Sequence, residues 1–363
     1  MIDLKQLRQN PEQMILALQK RGFLLDIQTF LFKDQRKREL MSELEEKKTI
    51  RNTASRKLGA AKKNGLLGEI TSLMEEIHLL NQSITQLEEQ ISVLVMETEE
   101  FLHLIPNPPA ACVPVESIIQ KGSQNERHFL WDPKTHQEIT EDLHLVLPVQ
   151  SSENGIGTLP VYSGLTARLE RDLIHFLLDN FSASGFVEAA LHSHSSVISA
   201  YQDSILDSSP VRYCAICNPS SLQISLVSIL PPENSHNELE SMSFLIEKVL
   251  ALLLIPYRIV LTGAKELDSS AAEGMRIDVW MPGIKRFETE AVCFNHETFL
   301  SRDYGVRFRS GQKEKPQHPH MLTCTIDVSR VLFNAILENY QNEDGTVSVP
   351  VKLIPYMGAE VIR

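Results

Sequence analysis

A seven-residue repeat of apolar residues is the clearest pattern in the chain. Isoleucine recurs at that interval from Ile70 to Ile91, and a leucine follows each isoleucine by three residues, ending at Leu94. A β-branched residue at one seam position and leucine at the other are typical of a coiled coil. A helix that carries this stripe on to Phe101 is roughly 50 Å long. The pattern therefore predicts a long helix that projects from the rest of the protein.

A second, weaker apolar stripe lies just before the first, between Leu40 and Leu58, and Lys47 and Arg51 interrupt it. Residues 63–65 (Lys-Asn-Gly) suit a short turn, because Asn and Gly tolerate positive φ. The two stripes and the turn predict an antiparallel helical hairpin within one chain. A parallel homodimeric coiled coil is the alternative.

Beyond the prolines at 106–109, which end the second helix, the pattern mixes helices with strands. It predicts amphipathic helices at 165–181 and 331–340 and strands at 276–281 and 322–326. Strands and helices without a βαβ rhythm are typical of an α+β domain.

We therefore expect three regions in the chain. A helical hairpin occupies residues 1–105, a linker occupies 106–150, and an α+β domain occupies 151–363. This division places the coiled coil before the mixed domain.

The charge is distributed unevenly along the 363 residues. The whole chain has 35 Lys and Arg against 47 Asp and Glu, a net charge of −12, which excludes a general nucleic-acid coat. Residues 33–63 nevertheless hold eleven basic residues against five acidic ones, whereas residues 64–105 hold eight Glu and no Lys or Arg. Any RNA contact is therefore expected to be local, on the first helix of the hairpin.

Composition also bears on the compartment. Five cysteines, an odd number, make no disulfide framework and suit a reducing environment. The longest apolar run, 249–255, is too short to span a bilayer. The first residues lack the apolar core of a signal peptide and the composition of a transit peptide. We expect a cytoplasmic protein without a membrane partner.

Several segments resemble bacterial-type seryl-tRNA synthetases. They are 1–5 (Met-Ile-Asp-Leu-Lys), 105–108 (Ile-Pro-Asn-Pro), 167–171 (Ala-Arg-Leu-Glu-Arg), 277–283 (Ile-Asp-Val-Trp-Met-Pro-Gly) and 335–341 (Ala-Ile-Leu-Glu-Asn-Tyr-Gln). The resemblance implies a class II synthetase-like antiparallel-sheet domain and dimerisation through the motif at 167–171. It also implies a hairpin arm that contacts tRNA, and ATP with Mg²⁺ as the cofactors of serine ligation.

The residues that such a ligase needs are largely absent. Aligned on Val197, the family's Thr-Ala-Glu serine-recognition triplet falls on His-Ser-Ser at 194–196. The second-motif arginine and its loop are replaced over 214–221, and the two glutamates of the following strand are replaced over 221–225. Each lost electrostatic group typically costs ~10²–10³ in rate. The sequence therefore predicts a degenerate, shortened paralogue that does not activate serine, and we assign no catalytic residue.

Arg330 stands where the resemblance places the arginine of the third class II motif. It is the first of three candidates for residual ATP binding. Its structural alternative is an ion pair with Asp327 or Glu338.

Glu288 and Glu290 are the other two candidates for residual ATP binding. The family's metal-binding glutamate, aligned on Cys293, falls between them on Thr289. In a strand, the two glutamates point to the face opposite Thr289. We therefore expect no metal site.

Two further motifs carry chemistry of their own. Cys214 and Cys217 have the spacing of a metal or redox pair, but without a second pair they are expected to be buried thiols. The basic segments 307–309 (Arg-Phe-Arg) and 313–315 (Lys-Glu-Lys) are expected to form a solvated loop with some capacity for an anion.

Five basic residues near the tip of the first hairpin helix are the candidates for tRNA binding: Arg51, Arg56, Lys57, Lys62 and Lys63. Phosphate contacts need only a positive stripe on a rigid support. The alternative is a solvated coiled-coil face without a partner.

Three hypotheses for the function follow. The first is a synthetase paralogue that binds tRNA, dimerises, or does both, either with itself or with an active synthetase. The second is a working serine–tRNA ligase with a rearranged pocket, which would use ATP and Mg²⁺. The third is a protein-interaction module without an RNA role.

Overall fold

The computed structural model describes residues 1–64, 67–123, 127–145, 162–190, 194–217, 222–311 and 313–363. The chain forms two compact units. We call residues 1–19 with 23–106 the arm unit, and residues 20–22 with 107–363 the core unit. Within the described residues, no helix is both long enough and apolar enough to cross a bilayer.

The described residues before 107 form four helices: α1 (Leu4–Gln9), α2 (Pro11–Lys20), α3 (Ile27–Asn64) and α4 (Leu67–Leu104). The Asp3 side chain caps α1 by accepting a hydrogen bond from the Lys5 backbone N–H at 2.8 Å. Pro11 begins α2, at a position where the helix needs no N–H donor.

Helices α3 and α4 pack against each other in opposite directions. The ring of Phe30, early in α3, stacks on that of Phe101, late in α4, with centroids 5.1 Å apart. Leu44 shares a buried apolar cluster with Ile84 and Leu87, two residues of the heptad stripe. The predicted antiparallel hairpin is therefore confirmed. Each helix has 38 residues, which corresponds to roughly 57 Å.

The described part of the core unit contains both strands and helices. Its strands are β1 (Ile118–Gly122), β2 (Val187–Ala190), β3 (Ile205–Leu206), β4 (Val211–Cys217), β5 (Gln223–Leu230), β6 (Tyr257–Leu261), β7 (Glu273–Met281), β8 (Arg286–Asn295), β9 (Arg307–Phe308), β10 (His320–Asp327), β11 (Val347–Ser348) and β12 (Val361–Ile362). Its helices are α5 (His136–Asp142), α6 (Gly164–Ala183), α7 (His194–Ala200), α8 (Ser235–Leu252), α9 (Phe299–Asp303), α10 (Phe333–Asn339) and α11 (Ile354–Met357), with a π-helical turn over Val328–Leu332.

Eight strands form one sheet in the order β1-β6-β7-β8-β10-β5-β4-β2. All neighbours are antiparallel except β2, which pairs with β4 in parallel. The predicted α+β class with an antiparallel sheet is confirmed. Helix α6 covers the amphipathic segment at 165–181, and β7 and β10 cover the two predicted strands.

The segment for which we expected a linker, 106–150, contributes regular structure where it is described. Strand β1 pairs with β6 at the edge of the sheet. Helix α5 begins with a capping box, in which Thr135 and Glu138 satisfy each other's backbone N–H groups.

One face of the large sheet is covered by helices. Leu226, Ile277, Cys293 and Cys324, from four adjacent strands, share one buried cluster with Leu173 of α6. Residues of α8 and α10 belong to the same cluster. This helix-covered face holds the main apolar core of the unit.

The residues that alternate with these lie on the opposite face of the sheet, which we call the open face. One row across it is set by the strand register. Ser225 lies opposite Thr325, Thr325 opposite Val292, and Val292 opposite Arg276.

A β-bulge interrupts this register in β8. Ile277 lies opposite Ala291, but Asp278 lies opposite Thr289, so that Glu290 is the extra residue of the bulge. The bulge determines on which face of the sheet each acidic side chain of β8 lies.

Candidate functional site

Two arginines and one aspartate form a charged cluster on the open face. Asp278 is 1% exposed. Its carboxylate accepts from the Arg258 Nε at 2.8 Å, lies 2.9 Å from the Arg276 Nε, and accepts from the Thr289 Oγ1 at 3.0 Å. A single buried carboxylate thus neutralises parts of two cations that strand pairing brings side by side.

Both guanidinium groups of this cluster have further partners. The Arg276 Nη1 donates to the Glu266 Oε2 at 3.1 Å. The Arg258 guanidinium lies 4.4 Å from the centroid of the Phe287 ring, which in turn packs 5.1 Å from the ring of Trp280. Neither arginine is therefore held ready for a ligand's phosphate.

A bidentate ion pair links β4 to α8. The Arg212 Nε and Nη2 donate to the two carboxylate oxygens of Glu238 at 2.6 and 2.5 Å, and the Ser228 Oγ donates to the same carboxylate at 2.7 Å. Burial opposes ionisation of Glu238, but Arg212 and Ser228 together lower its pKa below the usual value. This arginine, too, has its carboxylate partner.

Glu288 lies on the helix-covered side of β8. It stands opposite Val279, a buried residue of the main core, and its side chain is 35% exposed. The Arg286 Nε donates to its carboxylate at 2.5 Å. Glu288 therefore points away from Thr289, as strand alternation predicts.

Glu290 is buried at the bulge, with 2% of its surface exposed. Neither carboxylate oxygen has a hydrogen-bond partner of normal geometry. Burial, and then the charge of Asp327, raise the pKa of Glu290 well above its usual value, and only the backbone N–H of Leu332 acts in the other direction. Ionisation of Glu290 is thus disfavoured, which makes it a poor metal ligand.

Arg330 lies in the π-helical turn and its side chain is 66% exposed. Its backbone N–H donates to the Asp327 Oδ1 at 3.2 Å, and its Nε lies 3.9 Å from the Asp327 Oδ2. Glu338 is engaged elsewhere, because it accepts from the ring of His136 at 2.7 Å and from the Gly283 N–H at 2.8 Å. Of the two expected structural partners of Arg330, the one present is Asp327.

Part of the predicted site lies outside the described residues, namely the side chains of 194–196 and the whole of 218–221. Five residues, 218–222, separate β4 from β5. On β5, Gln223 lies opposite Asp327, and Ser225 lies opposite Thr325. The two positions that align with the family's glutamates, Leu222 and Ser225, therefore carry an apolar side chain and a hydroxyl.

Four of the five cysteines are buried free thiols: Cys214, Cys217, Cys293 and Cys324. Burial raises the pKa of the Cys214 thiol. Cys112 is the exposed one. Among the described residues, no group of three or more His, Cys, Asp or Glu side chains has the geometry of a metal site.

The basic residues of α3 up to Lys48 are paired with carboxylates. Lys33 lies 3.0 Å from Glu97, and Lys48 lies 3.0 Å from Glu88, both across the hairpin. Four further cations of this stretch have acidic partners on the same helix: Arg36, Lys37, Arg38 and Lys47. This part of the predicted basic face is internally neutralised.

The five candidate residues near the tip of α3 differ from these. Within the part of the chain that the structure describes, no carboxylate lies within ion-pair distance of Arg51, Arg56, Lys57, Lys62 or Lys63. Arg51 donates to the amide oxygen of Asn52 at 2.9 Å, and the other four are exposed. At 100° per residue, Arg51 and Lys62 share one side of the helix, and Arg56 and Lys63 share another. The five residues thus lie within roughly 18 Å along the helix but on three of its sides, with Lys57 on the third.

The Arg258–Asp278–Arg276 cluster was missed by sequence reasoning. Its one signal was the alternation of Arg276 and Asp278 in the predicted strand 276–281, which places both on one face. Arg258 comes from a different strand, and only the pairing of β6 with β7 brings it opposite Asp278.

Comparison with known families gives two matches. Residues 1–109 match the family described as Seryl-tRNA synthetase N-terminal domain, and residues 222–340 match the family described as tRNA synthetase class II core domain (G, H, P, S and T).

Curated relatives align over the whole chain. The serine–tRNA ligase of Carboxydothermus hydrogenoformans is 33% identical over 429 residues, covering 100% of this chain and 99% of that protein. That of Desulfitobacterium hafniense is 31% identical over 423 residues, with 100% of both covered. Because these alignments are longer than the 363 residues of this chain, the relatives carry residues that it lacks.

Solved structures share the fold. The seryl-tRNA synthetase from Pyrococcus horikoshii complexed with ATP has a TM-score of 0.88 at 23% identity, with 100% of this chain and 99% of that chain covered. The cytoplasmic serine–tRNA ligase from Naegleria fowleri in complex with AMP has a TM-score of 0.84 at 18% identity, with the same coverage. The complex of A. aeolicus tRNASec with M. kandleri SerRS gives 0.52 at 12% identity over 78% of this chain and 69% of that one.

Proposed function

Because the chain belongs to the seryl-tRNA synthetase family, we propose that it binds tRNA through its arm and does not activate serine. The observation that carries this proposal is a contrast between two sets of cations. The described arginines of the eight-stranded sheet and of the π-helical turn have carboxylate partners, whereas the five basic residues at the tip of α3 have none.

The chemistry of activation explains why the first half of this contrast matters. Adenylate formation brings the phosphates of ATP next to a carboxylate, so that unpaired cations or a metal must neutralise the charge. Arg258 and Arg276 are held by Asp278, and Arg330 faces Asp327. A phosphate would have to displace a protein carboxylate at each of these positions.

The acidic residues present do not fit a Mg²⁺–ATP group. Glu290 is buried and its pKa is raised, Glu288 is paired with Arg286 on the helix-covered side, and Gln223 and Ser225 supply no charge. Magnesium requires ionised oxygen ligands on one face of the site. We therefore derive no step through ATP or magnesium.

The unpaired tip of α3 supports the tRNA half of the proposal. Cations with no internal partner lose no ion pair when they meet phosphates, and each phosphate contact releases a counterion. One of the structural relatives, the M. kandleri SerRS, is in complex with a tRNA, the tRNASec of A. aeolicus.

Dimerisation is the second part of the proposal. Strand β2 forms the edge of the sheet directly after α6, and Val187 on it is 59% exposed. An edge strand with an exposed apolar side chain suits pairing with a second chain. The partner is either another copy or an active synthetase, and light scattering of the chain with and without an active seryl-tRNA synthetase distinguishes the two.

One observation favours the ligase alternative. Arg330 is the most exposed of the paired arginines outside β8, and its ion pair is the longest, at 3.9 Å. If the protein is a ligase, this arginine is the one free to meet a phosphate.

Serine-dependent ATP–pyrophosphate exchange tests the enzymatic half. We expect no exchange above a no-serine control, with an active serine–tRNA ligase assayed in parallel. Exchange that requires serine and disappears in Arg330→Gln would establish the ligase alternative. Filter binding of a serine tRNA transcript at two salt concentrations tests the RNA half. Salt-sensitive binding is expected, and no binding at all would favour the protein-interaction module.

A further inference from the structure

Like the arm, the described part of the core unit has a group of basic residues without carboxylate partners. Arg307, Arg309, Lys313 and Lys315 are exposed, and no described carboxylate lies within ion-pair distance of any of them. We call these four residues the core cations. They differ from the paired arginines of the large sheet.

The chain holds the core cations on a fixed support. Phe308, between the two arginines, is 4% exposed and belongs to a buried cluster with Val306 and Met321. Since side chains alternate along a strand, Arg307 and Arg309 both point away from that cluster. The backbone of Phe308 exchanges two hydrogen bonds with Gln317, at 2.8 and 3.0 Å, and so closes the segment that carries the lysines.

The core cations also stand out against the charge of their surroundings. The core unit has 22 Lys and Arg against 31 Asp and Glu, a net charge of −9. Residues 307–318 have four basic residues and one acidic residue, a net charge of +3. A polyanion is repelled by most of this unit, and the core cations are a local exception.

The neighbouring His318 experiences the same positive electrostatic potential. The His318 ring nitrogen Nδ1 lies 3.0 Å from the Val306 carbonyl oxygen. Burial lowers the pKa of His318, and the positive charges of Arg302 and Arg307 lower it further.

We propose that Arg307, Arg309, Lys313 and Lys315 form a second phosphate-binding surface for RNA, on the core unit and separate from the arm. The inference rests on the proposed function, in which the arm already binds RNA. In this surface, two arginines lie on one strand face and two lysines lie on the adjoining segment. This surface contacts the sugar–phosphate backbone and not base edges, because exposed cations attract phosphate groups whatever the base sequence.

The test replaces the four core cations by glutamine and measures the dissociation constant of a serine tRNA transcript over a series of salt concentrations. We expect binding to weaken by about tenfold or more at low salt. We also expect the slope of log K against log salt to fall by about 3 to 4, one for each lost phosphate contact. The matched control replaces four other exposed lysines of the core unit by glutamine: Lys248, Lys265, Lys285 and Lys352. It removes the same net charge and is expected to leave the slope unchanged.

The outcomes separate this inference from the proposed function. If wild type binds tRNA and the tip variants weaken binding, but the core-cation variant has the wild-type slope, the second surface is disproved and the proposed function stands. If the control variant lowers the slope as much as the core-cation variant, the effect is one of net charge and the surface is again disproved. If wild type binds no tRNA, or binds only anionic phosphatidylserine vesicles, both proposals fail. Circular dichroism of each variant verifies its folding.

Discussion

The Arg21 guanidinium donates a hydrogen bond of 2.5 Å to the backbone carbonyl oxygen of Asn107, 86 residues further along the chain. The same side chain donates to the carbonyl oxygens of Leu267 at 2.7 Å and Ala271 at 3.2 Å, and also to that of Asp268. One side chain thus ties the loop between β6 and β7 to the segment that follows the arm unit.

Replacing Arg21 by alanine is expected to lower the free energy of unfolding by about 2 kcal/mol, because several carbonyl oxygens lose a charged donor. Differential scanning calorimetry measures the change, and Lys20→Ala is the control. Guanidinium ion at low millimolar concentration should restore part of the loss in Arg21→Ala, whereas urea should not. Equal effects of the two compounds would show that the carbonyl groups do not need a cation.

Glu290→Gln tests the raised pKa of the buried Glu290 carboxyl group. A pKa that is raised in the folded state means that the folded protein binds more protons than the unfolded chain above pH 4.5. Stability therefore falls as pH rises from about 4.5 towards the folded pKa. Glutamine mimics the neutral acid, so that at pH 8 the variant should be more stable than wild type by about 1–3 kcal/mol, with less difference at pH 5.

Urea unfolding of Glu290→Gln at the two pH values measures this effect. Glu288→Gln is the control, since Glu288 is part-exposed and paired with Arg286. A stability gain that is the same at pH 5 and pH 8 would contradict a raised pKa of Glu290 in the folded protein.

Asp278→Asn leaves Arg258 and Arg276 without their shared counter-charge. Removing one partner of a buried ion pair typically costs ~3–5 kcal/mol, and the partial exposure of both arginines places this variant near the lower end. The control Asp132→Asn breaks an exposed pair with Lys285 and should cost less than about 0.5 kcal/mol. Thermal unfolding of the two variants measures both losses of stability. Equal losses would mean that the buried cluster stabilises the protein no more than the exposed pair does.

Helix α3 offers matched sets of paired and unpaired lysines. Lys57→Gln, Lys62→Gln and Lys63→Gln together should weaken tRNA binding and lower the salt slope by about 3. Lys33→Gln, Lys47→Gln and Lys48→Gln remove the same charge from positions that already have carboxylate partners. This second set should leave the slope near that of wild type. A larger effect of the second set would overturn the assignment of the tip.

The arm could be predicted from sequence because its signal is local. The heptad positions from Ile70 to Leu94 lie within one helix, and the apolar partner stripe comes just before them along the chain. The pairing state of its cations could not be predicted, because whether Lys48 meets Glu88 depends on the register of one helix against the other.

The core site shows the same limit. Strand alternation places Glu288 and Thr289 on opposite faces of the sheet, and the structure agrees. The bulge at Glu290, however, depends on where β7 and β8 pair, and the cluster around Asp278 depends on the neighbouring strand β6. Sequence patterns along one strand do not encode these cross-strand relationships.

The distribution of cysteines gives the protein a built-in probe of its own opening. Cys293 and Cys324 face each other across adjacent strands in the centre of the core, Cys214 and Cys217 lie on β4, and Cys112 alone is exposed. In the native state a thiol reagent meets one accessible sulfur, and the other four become reactive only when the sheet separates. The number and order of labelled thiols therefore record which strands part first, without any introduced label.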